Sequence, residues 1–375
     1  MPQLSARVQA LVQPHLRDLD VYDPNFTPTR INLSANENTY DVPPAARAAI
    51  DEALAATHAN RYPDPLSNEL RDELAAWHGT DRAHVIVGNG GDELLYNFLL
   101  AFGGPGRTLV ICPPTFSEYA FFASLTQTDV AEVWRDPESM LADEDALVDA
   151  AGKANLVILT SPNNPTGDLA PVALVRRLCE ACPGLVMVDE AYGEFAAPGS
   201  SCESLLDAYD NLVVLHTLSK AFALAGARCG YVLAAPDVVE ALAAVRQLYS
   251  VNVLTQAAAL TAVRLRDEFA PTVATIVSER ARVLAALREL ARTRELTVWP
   301  SEGNFLLVRV PGASEVRQRL RDDYSILVRD FSYAPGLADC LRITVGTPEE
   351  NDAVLDALGE LLPAAGPSDS PQALS

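Results

Sequence analysis

The sequence predicts an α/β protein: a mostly parallel seven-stranded sheet flanked by helices, followed by a smaller α+β domain. Three observations carry this. Between residues 84 and 233, short apolar runs alternate with helical stretches, the rhythm of strands joined by helical crossovers. Those runs, rich in Val, Ile and Leu, read as strands covered on both faces. After about residue 240 the rhythm changes to long helices rich in alanine, leucine and arginine, then to a few strands and a last helix.

Taken in order, residues 1–30 are polar and proline-interrupted and read as an N-terminal arm with a helical patch near Ser5 to Leu11. SANENTY (34–40) is turn-rich. Residues 43–60 read as a helix entered through proline, RYPDP (61–65) as a rigid loop, and 66–79 as a second amphipathic helix closed by Gly79. Strands are expected at His84 to Val87, Thr108 to Cys112, Asp129 to Val133, Leu156 to Thr160, Leu185 to Val188, Leu212 to Leu215 and Gly230 to Leu233. Helices are expected at Asp92 to Phe102, Thr115 to Thr126, Glu144 to Gly152 and Pro171 to Ala181. Beyond the helices that run to about residue 294, strands are expected at Leu296 to Trp299, Asn304 to Val310 and Leu341 to Thr344, and a helix from Glu349 to Leu362. The chain therefore divides into an arm (1–30), a large domain (31–240), a small domain (241–362) and a frayed tail (363–375) without apolar periodicity.

The 375 residues are enough for two or three domains. A net charge of −22 repels a phosphate backbone and an anionic membrane, so nucleic acid and lipid surfaces are excluded as partners and any anionic small ligand must be held by local arginines. No signal peptide and no membrane-spanning run is read, which places the protein in the cytoplasm. Six cysteines in a chain of this length form no disulfide framework. Cys179 and Cys182 make a CxxC, but no second pair with zinc spacing follows, and no metal is expected.

The 28 basic residues include only two lysines, Lys153 and Lys220. Lys220 follows the strand at Leu212 to Leu215 and the polar turn Thr217 to Ser219. A primary amine condenses with an aldehyde, which a permanently protonated guanidinium does not. Thr217, Ser219 and Arg228 supply the hydroxyl and guanidinium donors that a cofactor phosphate needs. The plainer reading is a strand end with a solvated lysine.

In parallel sheets ligands sit at the carboxyl ends of the strands, so the turns there carry the information. GNGGDE (88–93) opens a helix with free backbone N–H groups, an anion site. A dinucleotide fingerprint is the alternative, but the spacing ends in GDE and no acid lies about 20 residues on, so one phosphate fits better than a pyrophosphate. SPNNPTG (161–167) sets two asparagine amides on a proline-stiffened loop, against the reading of an ordinary turn. DEAY (189–192) puts Asp189 at an interior strand end, where an acid is costly unless it meets a cation. A protonated pyridine nitrogen is one such cation, and an arginine or a helix N-terminus is the alternative partner. A lone lysine, a single-phosphate cradle, an amide, an acid and a tyrosine at strand ends together call for pyridoxal phosphate.

TLSKAFALAGARCGY, SPNNPTG, VDEAY, GNGGDE, RYPDP and CLRITVGT together resemble the histidinol-phosphate aminotransferase family, within the fold type I pyridoxal-phosphate aminotransferases, over about residues 30 to 360. The resemblance implies that Lys220 carries the cofactor and moves protons, and that Asp189 holds the pyridine N–H. It implies that Asn164 and Tyr192 bind the ring oxygen, and that Phe116 and Ala191 sandwich the ring. Gly91, Asp92, Thr217, Ser219 and Arg228 would hold the phosphate, with Tyr62 reaching the phosphate of the neighbouring subunit of a homodimer. Arg342 and Arg329 match the substrate-anion arginines, and Asn36 and His15 are placed at the substrate. A lone arginine on a strand is more often a surface ion pair, and only the matched segments lift these two above that reading. The implied reaction is ping-pong transfer of an amino group from histidinol phosphate to 2-oxoglutarate.

Two positions depart from the family pattern. Pro14 is followed by His15 where the family usually offers a tyrosine, and Asn36 to Thr39 read NENT where NENP is common. An aromatic-amino-acid aminotransferase and a threonine-phosphate decarboxylase are the rivals within the fold. A nicotinamide dehydrogenase lacks its acid here, and a regulator on this fold would need a nucleic-acid-binding arm that the first 30 residues do not supply.

Overall fold

The computed structural model describes residues 4–17 and 27–365. Its strands in chain order are β1 (Ile31–Leu33), β2 (Val85–Gly88), β3 (Thr108–Ile111), β4 (Asp129–Glu132), β5 (Leu156–Thr160), β6 (Leu185–Asp189), β7 (Leu212–Thr217), β8 (Gly230–Ala234), β9 (Thr297–Val298), β10 (Phe305–Arg309), β11 (Ile326–Asp330) and β12 (Cys340–Thr344).

β2 to β8 form one sheet in the order β2-β8-β7-β6-β5-β3-β4. All pairs are parallel except those made by β8, which runs against both β2 and β7. The seven expected strands are therefore all present, with ends shifted by a residue or two. β5, β7 and β8 are buried along their whole length, as strands covered on both faces must be. The charged ends of β4, Asp129 and Glu132, are exposed at the sheet edge.

The second sheet has the order β1-β11-β12-β10-β9. Ile31–Leu33, counted with the large unit in the sequence division, pairs in parallel with Ile326 to Val328 of this smaller sheet. β11 and the helix Ala313–Tyr324 before it were not anticipated. That helix buries only Ala313, Val316 and Leu320 under an otherwise charged sequence, so its apolar stripe is too thin to show periodicity. The helix expected over 43–60 spans Pro44–Ala55, and the stretch from Thr115 becomes helical only at Glu118–Thr126. The last helix, Pro348–Leu361, starts with a reciprocal capping box between Thr347 and Glu350.

The arm's helical patch is Ala6–Leu11. Residues 366–375 of the expected tail lie outside the described residues. Among the described residues no helix is long and apolar enough to cross a membrane. All six cysteines are buried and unpaired, and burial pushes the Cys179 thiol up to about 12, which makes the CxxC part of the core packing.

Candidate active site

The strand ends converge. β2, β3, β5, β6 and β7 run the same way, so the turns after them open on one edge of the sheet, and β8, running the other way, begins there. Gly88, Gly230 and Thr217 lie side by side in register. This topology brings together residues from positions 88 to 230.

After β2, the helix Gly90–Phe102 points its first N–H groups, including those of Gly91 and Asp92, at this edge. Arg228, just before β8, holds a left-handed backbone with φ of 55° and donates from Nη2 to Asp92 at 3.0 Å. Gly90 allows this approach: at φ of 80°, a Cβ there would meet the Arg228 guanidinium at 2.5 Å. Thr217 and Ser219, both buried, are joined hydroxyl to hydroxyl at 3.0 Å.

Lys220 follows, and its Nζ donates to the carbonyl of Ala35 at 3.0 Å and lies 5.7 Å from the centre of the Tyr192 ring. Burial and the nearby Arg342 charge bring its amine down to about 8, against the opposing pull of Glu37 and Asp92. Lys153, the other lysine, is exposed in the turn before β5, at the opposite end of the sheet.

Asp189 closes β6 and is 4% exposed. Its Oδ2 accepts from the Tyr119 hydroxyl at 2.7 Å and its Oδ1 from the N–H of Ala191 at 3.0 Å. Burial raises it to about 6, with those two hydrogen bonds pulling the other way. Tyr119 was not singled out by the sequence, where it is one aromatic among several in a helical stretch. Phe116 lies edge-on to the Tyr119 ring at 5.6 Å.

On the loop after β5, Asn164 is buried and its Oδ1 accepts from Arg342 Nη1 at 2.6 Å. Arg342, on β12, also donates from Nη2 to the carbonyl of Ser34 at 2.6 Å and lies against the rings of Phe305 and Phe331. Arg329 is directly opposite Arg342 in the β11–β12 ladder and reaches the same Phe331 ring at 6.0 Å. Both arginines thus face one aromatic patch. Tyr192 accepts from Asn36 Nδ2 at 3.0 Å, and burial raises its phenol against the pull of Arg342 and of that bond.

Asn36 and His15, the other two expected substrate residues, sit differently from the arginines. Asn36 is fully buried, in a left-handed conformation, and its amide is engaged by Tyr192 and Thr344 while Asn304 binds its carbonyl. Its side chain is held between Tyr192 and Thr344. His15 lies in a short 3-10 turn, Pro14–Leu16, against the helix Glu118–Thr126, and makes no hydrogen bond to the other candidates. Tyr62 is 81% exposed at the tip of its loop, stacked on Tyr249 with ring centres 4.5 Å apart.

Behind β7 a buried polar cluster went unnoticed in the sequence. His216 Nε2 is 3.0 Å from Glu203 Oε1, near enough for an ion pair though not aligned as a hydrogen bond. Glu203 also bonds His78 at 2.7 Å, and Glu190 accepts from Ser201 and from the N–H of Cys202. Burial alone would lower His216, but Glu203, Glu190 and Glu194 together raise it to about 9, so it serves as the cation of the cluster.

The family model for aminotransferase class I and II matches residues 28–358. The histidinol-phosphate aminotransferase of Thermobifida fusca is 43% identical over 343 residues, 87% of this chain and 90% of the relative. That of Thermococcus gammatolerans is 41% identical over 332 residues, 88% and 92% of the two chains. Among solved structures, the histidinol-phosphate aminotransferase of Sinorhizobium meliloti in complex with pyridoxal-5'-phosphate superposes with a TM-score of 0.85 at 27% identity, covering 96% of this chain and 98% of that one. With its strand-end lysine, its buried acid and a match that runs almost end to end, the chain belongs to the class I and II aminotransferase family.

Proposed function

We propose that this chain is a pyridoxal-phosphate-dependent histidinol-phosphate:2-oxoglutarate aminotransferase, working as a cytoplasmic homodimer. The observation that carries the reading is the convergence of Lys220, Asp189, Asn164 and Arg342 on one sheet edge, beside a glycine-cleared helix N-terminus. The relatives at 41–43% identity bear the same activity in their names.

The residues fit the cofactor. Asp189 is a buried carboxylate whose hydrogen-bond partners, among the described residues, are a neutral hydroxyl and an amide. Such a group needs a cation, and a protonated ring nitrogen meets that need. The N–H groups of Gly91 and Asp92, with Thr217, Ser219 and Arg228, suit one phosphate. When bound, pyridoxal phosphate supplies a ring that draws off the electrons left when a proton departs from the substrate carbon.

The chain's own groups do the rest. Lys220, with an amine held near 8, keeps a useful neutral fraction at physiological pH and moves the proton at Nζ. Because Asn164 Oδ1 is taken by Arg342, its Nδ2 is the end that donates into the site. Because the Tyr192 oxygen accepts from Asn36, its own proton is left to donate. Both therefore favour an anionic ring oxygen as their acceptor. Phe116 and Ala191 would flank the ring. Arg342 and Arg329 take the substrate anion, the phosphate of the donor in one half-reaction and a carboxylate of 2-oxoglutarate in the other.

The test is a comparison of kcat/KM for histidinol phosphate, phenylalanine and tyrosine with 2-oxoglutarate as acceptor. Histidinol phosphate is expected to be the best donor. The reverse order would move the chain to the aromatic aminotransferases.

A further inference from the structure

Tyr119 is completely buried, and its hydroxyl lies 2.7 Å from Asp189 Oδ2 and 2.6 Å from Thr160 Oγ1. Counting protons fixes the direction of these bonds. An ionised carboxylate only accepts, so the single phenolic proton goes to Asp189. Thr160 must then donate its own proton to the Tyr119 oxygen. Thr115 donates to Asn163 Oδ1 at 2.7 Å, which leaves no proton for the Thr115 to Thr160 contact, and that contact is the long one at 3.3 Å. The result is a directed relay of two donors, Thr160 to Tyr119 to Asp189, ending on the carboxylate.

We infer that Tyr119 is a positioning residue for transamination, acting through Asp189: its hydroxyl, itself oriented by Thr160, holds the carboxylate ionised and aimed so that it can pair with the cofactor's ring nitrogen. This rests on the Asp189 role proposed above. Burial makes a neutral carboxylic acid the easier state for Asp189, and a buried carboxylate needs donors to stay charged. Among the described residues Asp189 has one other donor to its side chain, the N–H of Ala191. The surrounding charges largely oppose each other: Asp92, from the helix Gly90–Phe102, raises the carboxyl, while His216 on β7 lowers it. Tyr192, from the loop after β6, also faces this group. The Tyr119 phenol itself is pushed well above its ordinary value by burial and by Asp189, so it remains a donor throughout the working range.

The experiment measures the dissociation constant of pyridoxal phosphate by absorbance and fluorescence from pH 5 to 9 in wild type, Tyr119→Phe, Thr160→Val and Asp189→Asn. Tyr119→Phe keeps the ring and its packing and removes one donor. It is expected to bind the cofactor about tenfold more weakly at neutral pH, the size of one charge-assisted hydrogen bond. Removing a donor raises a carboxyl's pKa, so the pH below which binding fails should also move upward. Thr160→Val should move it in the same direction by less, and it carries the test if Tyr119→Phe does not fold. Asp189→Asn should abolish the acid limb. Binding by Tyr119→Phe that is unchanged, or weakened equally at every pH, overturns the inference, because a packing role predicts no movement of the midpoint. Asp189→Asn binding like wild type would instead remove the Asp189 reading itself.

Discussion

Arg342 Nη1 and Asn164 Oδ1 lie 2.6 Å apart, in a hydrogen bond that ties the five-stranded sheet to the seven-stranded one at the site. On the proposed function Arg342 would serve two purposes, orienting an amide towards the cofactor and presenting charge to the substrate. Arg342→Ala should lower kcat/KM for phosphate-bearing donor and dicarboxylate acceptor together, by roughly 10- to 100-fold, and should weaken cofactor binding as well. Arg342→Lys should recover little, because an ammonium cannot span Asn164 and Ser34 with a planar fork. Half-reaction kinetics with each substrate check this. A loss confined to one half-reaction would contradict a shared anion site.

The buried cluster behind β7 gives a pH signature. His216 is raised to about 9 in the folded chain, so the stability it contributes is complete below its unfolded value near 6.5 and disappears as pH rises through 9. His216→Gln removes that contribution. The Tm difference between wild type and His216→Gln should therefore be largest below pH 6.5 and shrink as the pH rises towards and through 9. Lys220 titrates in the same range with the opposite sign, but it is present in both proteins and cancels. A difference that stays flat over this range would count against the ion pair.

Gly230 faces the start of the helix Gly90–Phe102, where a Cβ would come within 2.8 Å of Gly90 C and Gly91 N. Gly230→Ala must push the first N–H groups of that helix, the proposed phosphate donors, away from Thr217. Overpacking of this kind costs about 1–3 kcal/mol, and the cofactor's dissociation constant should rise along with the fall in Tm. A variant with normal cofactor affinity would show that this turn does not hold the phosphate.

What the sequence made legible follows from how local each signal is. Lys220, Asp189 and Asn164 each follow an apolar run in a turn of unusual composition, so strand, turn and chemistry can be read within about ten residues. Tyr119, Thr160 and Thr344 act through partners far along the chain and carry no such local mark. Asn36 was found as a motif residue, but its left-handed backbone and full burial, which turn it towards Tyr192, depend on β12 and could not be read from its neighbours. Arg329 is legible in the sequence but the strand that carries it, β11, is not, because five residues ending in Arg329 and Asp330 show little alternation.

Tyr62 projects from a loop fastened by Gln256 to the carbonyl of Asp64 and by Arg246 to that of Pro65. In the proposed homodimer this exposed tyrosine would reach the cofactor phosphate of the neighbouring subunit. Mixing Tyr62→Phe and Lys220→Ala chains should give hybrid dimers with one intact site, and activity of about a quarter of wild type on statistical mixing. Activity no higher than the parents' would contradict sites shared across a homodimer.

Lys220, and not Lys153, is the proposed covalent anchor of the cofactor. Reduction of the loaded protein with borohydride, followed by peptide mass mapping, tests it directly. A pyridoxyl adduct is expected on the peptide containing Lys220, and no adduct anywhere in Lys220→Ala protein. An adduct at Lys153, or one that survives in Lys220→Ala, would contradict it.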